Sequence, residues 1–196
     1  GHELGRLERL LRGIAGRLGR RQRRVTLQHR VAGAMFRRHV DQPIGGDEPD
    51  LAELIEKVVK KGSLRVTDDP SVYAKADAIL IAVQTPIDAN HVPKYESLRQ
   101  VCQDIGGRMK KGTLVCVEST VAPGTTNYIV KPILEEHSRL AAGEDFNLVY
   151  SYERVMAGRL LYNLTNLARI IGGLTTRCTK RGIELYENIV KAQLLP

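Results

Sequence analysis

Along most of the chain, short apolar runs alternate with longer stretches in which apolar residues recur every three or four positions. The most apolar run is Ala78-Ile79-Leu80-Ile81-Ala82-Val83, closed by Gln84-Thr85-Pro86. An apolar run without alternation, ended by a proline, predicts a strand buried on both faces, as in a parallel sheet. It is too short to cross a membrane. Ligands of open α/β sheets sit beyond the carboxyl ends of the strands, so the change from Val83 to Gln84-Thr85 predicts one wall of a site.

The same alternation continues on either side of this run. Glu48-Pro49-Asp50 starts a helix with the stripe Leu51, Leu54, Ile55, Val58 and Val59, and Lys60-Lys61-Gly62 stops it. Leu64 to Thr67 is a short strand, and Asp69-Pro70 opens a small helix over Ser71 to Lys75. A helix over Tyr95 to Met109 presents Leu98, Val101, Cys102 and Ile105 and is closed by Lys110-Lys111-Gly112. Further strands are predicted over Thr113 to Val117, Phe146 to Tyr150 and Arg169-Ile170-Ile171-Gly172-Gly173. Pro123-Gly124-Thr125-Thr126 begins a helix reaching Leu140, and Thr179 caps a last one through Val190. Gln193-Leu194-Leu195-Pro196 reads as the start of another element rather than a domain end. Residues 43–196 thus predict an α/β fold, part of a Rossmann-like doubly wound parallel sheet with right-handed crossovers.

Charge separates residues 1–42 from the rest. Residues 1–40 hold eleven Arg and no Lys against Glu3 and Glu8, a balance of +9, which leaves −1 for the remainder of a chain whose total is +8. Leu4, Leu7, Leu10, Leu11, Ile14 and Leu18 have helical spacing, diluted by glycines, and only Val25-Thr26-Leu27 offers a strand. The segment is expected to be helical or loose, an Arg-rich arm ahead of the α/β domain. Charge alone is a weak motif for nucleic acid or an anionic membrane surface, so neither partner is assigned. Gly13, Gly16 and Gly19 are spaced GxxGxxG and follow no buried strand, which excludes a dinucleotide loop there. In a doubly wound sheet the first strand bridges the two halves, and residues 1–40 offer no apolar run for that place. The edge of Ala78–Val83 is therefore expected to be unpaired and prone to self-association.

Cys102, Cys116 and Cys178 match neither a disulfide framework nor a zinc spacing, so no metal site is expected and a reducing, cytoplasmic location is. The N-terminus has arginines but no apolar segment of a signal peptide.

Candidate chemistry gathers at three strand ends, Gln84-Thr85, Glu118-Ser119-Thr120 and Ser151-Tyr152-Glu153-Arg154. Parallel strands direct all three to one edge, where hydroxyls can meet ribose, phosphate or carboxamide and helix N-termini face anions. Glu153 is a candidate general base if low dielectric raises its affinity for a proton. Any one cluster reads better as the cap of the next helix. Three on one edge favour a nucleotide.

These residues resemble a known family. Val83-Gln84-Thr85-Pro86, Glu118-Ser119-Thr120-Val121 with Pro123-Gly124-Thr125-Thr126, and Ser151-Tyr152-Glu153-Arg154-Val155 are similar to segments of the UDP-glucose/GDP-mannose dehydrogenases. Pro43-Ile44-Gly45-Gly46-Asp47-Glu48-Pro49 and Arg169 to Gly173 resemble the branch acting on UDP-N-acetylmannosamine or UDP-N-acetylglucosamine. The resemblance covers residues 43–196. It implies NAD-dependent oxidation of a UDP-sugar C6 alcohol to a carboxylate, in polysaccharide biosynthesis, by an enzyme that forms a homodimer through a helix beyond Pro196. It implies that Val83, Thr85, Pro86, Ser119 and Thr120 lie against NAD, and that Thr120 and Glu153 hold a water and support proton transfer. It also implies a second oxidation through a thiohemiacetal on a cysteine in a later region, a role for none of the three cysteines here. The chain departs from the pattern in having no GxGxxG turn, and in Tyr152, Ala157 and Ala168 where relatives carry proline. It is expected to be inactive alone. The alternatives are a truncated, non-catalytic remnant, or a protein that binds an anionic polymer through its arginine arm.

Overall fold

The computed structural model describes residues 25–28, 48, 50–156 and 158–196. The helical pattern from Leu4 to Leu18 and the motif from Pro43 to Asp47 lie outside the described residues. In chain order the elements are β1 (Val25–Gln28), α1 (Leu51–Lys60), β2 (Leu64–Thr67), a 3-10 turn (Pro70–Lys75), β3 (Ala78–Ile81), α2 (Glu96–Gly106) and β4 (Leu114–Val117). A π turn (Thr126–Val130), α3 (Lys131–Ser138), β5 (Asn147–Tyr150), α4 (Leu160–Asn166), β6 (Arg169–Ile170), β7 (Gly172–Gly173), α5 (Thr176–Tyr186) and β8 (Leu194–Leu195) follow. The chain forms two compact units, one of residues 1–69, 154–168 and 185–193, the other of 70–153, 169–184 and 194–196.

In the first unit β1 pairs in parallel with β2, Val25 opposite Leu64 through Gln28 opposite Thr67. The one stretch of the Arg-rich segment with strand character is thus a strand, one residue longer than its apolar core. Helix α1 packs against β2 and buries Leu54 and Val58, four positions apart on one face. Val59, one step round the helix, is exposed. Gly62, at φ +67°, donates to the Val59 carbonyl and Ser63 to the Val58 carbonyl, each at 2.9 Å. This paired closure of the last turn needs a left-handed residue, which glycine supplies without a Cβ penalty. The Glu48 carboxylate holds the start of α4, accepting from the Leu160 N–H at 3.0 Å and from the Gly158 N–H. It satisfies donors that the helix itself leaves without partners.

In the second unit β3, β4 and β5 are parallel and in register, Ile81 opposite Val117 and Val117 opposite Tyr150. Ile79, Ile81, Val115, Val117, Leu148 and Phe146 pack with Leu98, Cys102 and Ile105 of α2 and Leu134 of α3. Each such side chain contributes about 1.5–3 kcal/mol by leaving water. The two helices meet closely because Gly106 has no Cβ, which would lie 2.8 Å from the His137 Cβ.

Four expectations change. The strand from Ala78, at the edge of the four-stranded sheet, ends at Ile81, and Leu80 is 43% exposed while Ile79 and Ile81 are buried, so this run has one wet face. An all-apolar run hides that difference because apolarity does not report which face is covered. Arg169–Gly173 is not one parallel strand. It breaks at Ile171 into β6, parallel to β8, and β7, antiparallel to β5. Gly173 runs so close to α5 that a Cβ would fall 2.2 Å from the Thr179 nitrogen. The helix expected from Pro123 begins instead as the π turn, after Gly124 at φ +86°. Thr179 is inside α5, where its hydroxyl accepts from the Gly173 N–H at 3.1 Å. Thr175 caps that helix, accepting from the Cys178 N–H at 3.2 Å.

Candidate functional site

Parallel pairing brings the carboxyl ends of β3, β4 and β5 to one edge of the second unit. Beyond Ile81 the ladder gives way to side chains. The N–H groups of Glu118 and Ser119 both donate to the Ile81 carbonyl, at 2.9 and 3.2 Å. The buried Ser119 hydroxyl accepts from the Val83 N–H and donates to the Val83 carbonyl, both at 2.8 Å. It stands in for the missing strand partner of Val83, which would otherwise hold unsatisfied backbone groups.

One residue further out, the Thr85 hydroxyl donates to the Thr120 carbonyl at 2.8 Å. The Tyr95 hydroxyl, just before α2, accepts from the Ala122 N–H at 3.0 Å and lies 3.3 Å from the Thr125 hydroxyl. Thr120 is therefore an exposed residue on a turn held on both sides. Its own hydroxyl has no partner among the described residues.

At the end of β5 the Ser151 N–H donates to the Val117 carbonyl at 2.9 Å, and the Glu153 N–H reaches the Glu118 carbonyl at 3.4 Å. Arg169 lies buried beneath this turn. Its Nε donates to the Ser151 hydroxyl at 2.7 Å, and its Nη2 donates to the Ser151 carbonyl at 2.8 Å and to Glu118 Oε1 at 2.6 Å. A desolvated guanidinium is tolerable because each neighbour accepts from it, one of them with a full negative charge.

Val83, Thr85, Pro86, Ser119, Thr120 and Glu153 thus all stand on consecutive strand ends of one unit. They divide by what their polar groups do. Ser119 faces inward with its hydroxyl engaged by Val83, and the Thr85 hydroxyl is engaged by Thr120, while the Pro86 carbonyl accepts from the Lys94 N–H at 2.7 Å. Thr120 presents its side chain outward, and Glu153 is half-buried. Sequence reasoning did not single out Arg169 or Tyr95. An arginine heading the otherwise apolar Ile170-Ile171-Gly172-Gly173 was the available signal, since a charge at a buried position must be paired.

The three cysteines are buried, and none is in a disulfide. Burial pushes the Cys102 thiol up to about 12, with Arg99 pulling the other way. A buried, protonated thiol is a poor nucleophile. Among the described residues no helix is long and apolar enough to cross a membrane, and no group of three His, Cys, Asp or Glu is placed to hold a metal.

Residues 40–190 match the NAD-binding domain of the UDP-glucose/GDP-mannose dehydrogenase family. The chain belongs to this family. The family's UDP-N-acetyl-D-mannosamine dehydrogenase from Escherichia coli K12 is 33% identical over 177 residues, 85% of this chain and 41% of the relative. The Campylobacter jejuni enzyme of the same name is 37% identical over 155 residues, 76% of this chain and 37% of its own. The crystal structure of NDP-N-acetyl-D-galactosaminuronic acid dehydrogenase from Methanosarcina mazei Go1 superposes with a TM-score of 0.83 at 38% identity, covering 96% of this chain and 41% of that one. The chain spans about two fifths of the length of these relatives.

The family's NAD-binding domain is a Rossmann-like α/β fold, and its cofactor is NAD. The residues described fit the outer edge of such a site: exposed Thr120 and half-buried Glu153 sit beyond parallel strand ends, on turns fixed by Thr85, Tyr95 and Arg169. A glycine-rich GxGxxG turn for the pyrophosphate occurs nowhere in the sequence.

Proposed function

We propose that the chain is part of a dehydrogenase that oxidises the C6 alcohol of a UDP-N-acetylhexosamine to the uronic acid. The observation that supports it most is the adjacency of the Thr120 and Glu153 turns, joined through Glu118 at the ends of β4 and β5. Both belong to segments that led from the sequence to this family.

When bound, NAD accepts a hydride from C6. The chain's own part is to place groups and move a proton. Thr85 and Tyr95 fix the Thr120 turn, so the Thr120 hydroxyl is pre-oriented toward the edge and loses little freedom on binding. Glu153 accepts the hydroxyl proton of the alcohol through an ordered water as the hydride departs, and the alcohol becomes an aldehyde. The buried thiols of Cys102, Cys116 and Cys178 take no part in the step from aldehyde to acid.

A second reading, a non-catalytic remnant, is favoured by the missing GxGxxG turn and by Tyr152, Ala157 and Ala168 in place of proline. A chimera separates the two. Residues 43–196 replace the matching segment of the Escherichia coli relative, and NADH formation is followed with UDP-N-acetylmannosamine and with UDP-N-acetylglucosamine. NADH formation that Thr120→Ala or Glu153→Gln reduces by about 100-fold or more supports the dehydrogenase. A folded chimera that makes no NADH supports the remnant.

A further inference from the structure

Arg169 is buried at the strand-end edge. Its guanidinium joins two strand ends, through the Ser151 hydroxyl at 2.7 Å, the Ser151 carbonyl at 2.8 Å and Glu118 Oε1 at 2.6 Å. The Glu153 N–H meets the Glu118 carbonyl at 3.4 Å, at the outer limit of a hydrogen bond. Ser151 directly follows β5 and extends its ladder by one bond, from its N–H to the Val117 carbonyl. Two residues later comes Glu153, beyond regular structure.

We propose that Arg169 is a positioning residue that clamps Ser151 against Glu118 and so sets where Glu153 stands beside the end of β4. The role of Glu153 rests on the dehydrogenase reading above, whereas the clamp does not. The planar fork of arginine is what the arrangement needs. Its Nε and Nη2 point in fixed directions within one plane, so the Ser151 and Glu118 acceptors must keep a fixed mutual orientation. Glu118 is then gripped twice, by its carboxylate from Arg169 and by its carbonyl from Glu153. Lysine would supply the charge and three donors without the planar fork, so it would not fix the mutual orientation of the acceptors.

Arg169→Lys therefore separates positioning from charge. In the purified chain, amide hydrogen exchange is read residue by residue by NMR, with and without millimolar NAD. The expected result is exchange at Ser151 and Glu153 faster by about tenfold or more, with Val115, Val117 and Leu148 within about threefold of the parent. NAD-induced shifts at the Thr120 and Glu153 amides of the parent are expected to disappear in the variant. Unchanged exchange at Ser151 and Glu153 overturns the proposal, since charge alone would then suffice. Loss of protection throughout β4 and β5 also overturns it, since Arg169 would then be a general element of stability. If Arg169→Lys does not fold, Glu118→Met decides. It keeps the length of the side chain and removes the acceptor, so the clamp requires faster exchange confined to the Ser151–Glu153 turn. A uniform effect, or none, overturns it. A parent chain that does not respond to NAD, with the exchange difference intact, supports the clamp and sinks the NAD reading alone.

Discussion

The Thr85 hydroxyl donates to the Thr120 carbonyl at 2.8 Å, across 35 residues of sequence. Thr85 thus supports the neighbouring turn through its hydroxyl proton. Its role in the edge is to hold Thr120 where the Thr120 hydroxyl faces outward.

Thr85→Val, which keeps the shape and removes the donor, is expected to lower stability by about 0.5–1.5 kcal/mol, the net value of one hydrogen bond. Thr85→Ser should restore most of it. Urea midpoints of the three chains decide this, and a valine variant as stable as the parent would show that the bond contributes nothing.

Gly182 lies on α5 against the sheet, and a Cβ there would be 2.6 Å from Ile171 Cγ2 and 3.2 Å from Val149 Cγ1. Gly182→Ala is expected to destabilise the chain by about 1–3 kcal/mol through overpacking, despite alanine's better helix propensity. Gly107 closes α2 at φ −65°, with only the Gln103 carbonyl near, at 3.4 Å. Gly107→Ala should therefore be neutral or stabilising by about 0.5 kcal/mol. Thermal melts of both variants test the contrast, and equal effects would contradict it.

Stability should fall in alkali on account of Cys102. Its folded value is raised by burial from 9.0 to about 12. The unfolded chain releases the proton first, so the contribution is complete below about pH 9 and is lost as pH rises toward 12, at up to about 1.4 kcal/mol per pH unit. Urea unfolding under reducing conditions from about pH 8 to about pH 11 should show a steeper fall for the parent than for Cys102→Ala. Parallel slopes would mean that the thiol does not stay protonated in the fold.

NAD should bind this chain no more tightly than about 1 mM, near −4 kcal/mol, because hydroxyls at one edge lack a backbone N–H cradle for pyrophosphate. Calorimetry measures this directly. Micromolar affinity would show that another part of the chain supplies an anion site. No sustained NADH production is expected from the chain alone with either UDP-sugar, and production abolished by Glu153→Gln would refute that.

The sequence by itself determined the alternation of elements, the parallel sheet and the edge at which its polar strand ends gather. Those features follow from local rules: apolar runs such as Val115–Val117 make strands, and Lys61-Gly62 stops a helix because glycine reaches φ +67°. That Thr85, Ser119, Thr120 and Glu153 share one edge was legible because polar residues ended apolar runs three times over. Tertiary structure decided what each polar group does. Ser119 turns inward to Val83, Thr85 to Thr120, Glu48 reaches α4, and Arg169 joins Ser151 to Glu118. It also decided that Leu80 is exposed and that Gly172-Gly173 runs antiparallel. A period of two or of 3.6 reports only which residues share a face of one element. A hydrogen bond between residues 35 or 51 positions apart depends on how elements pair, and on which donor lacks a closer acceptor once water has left.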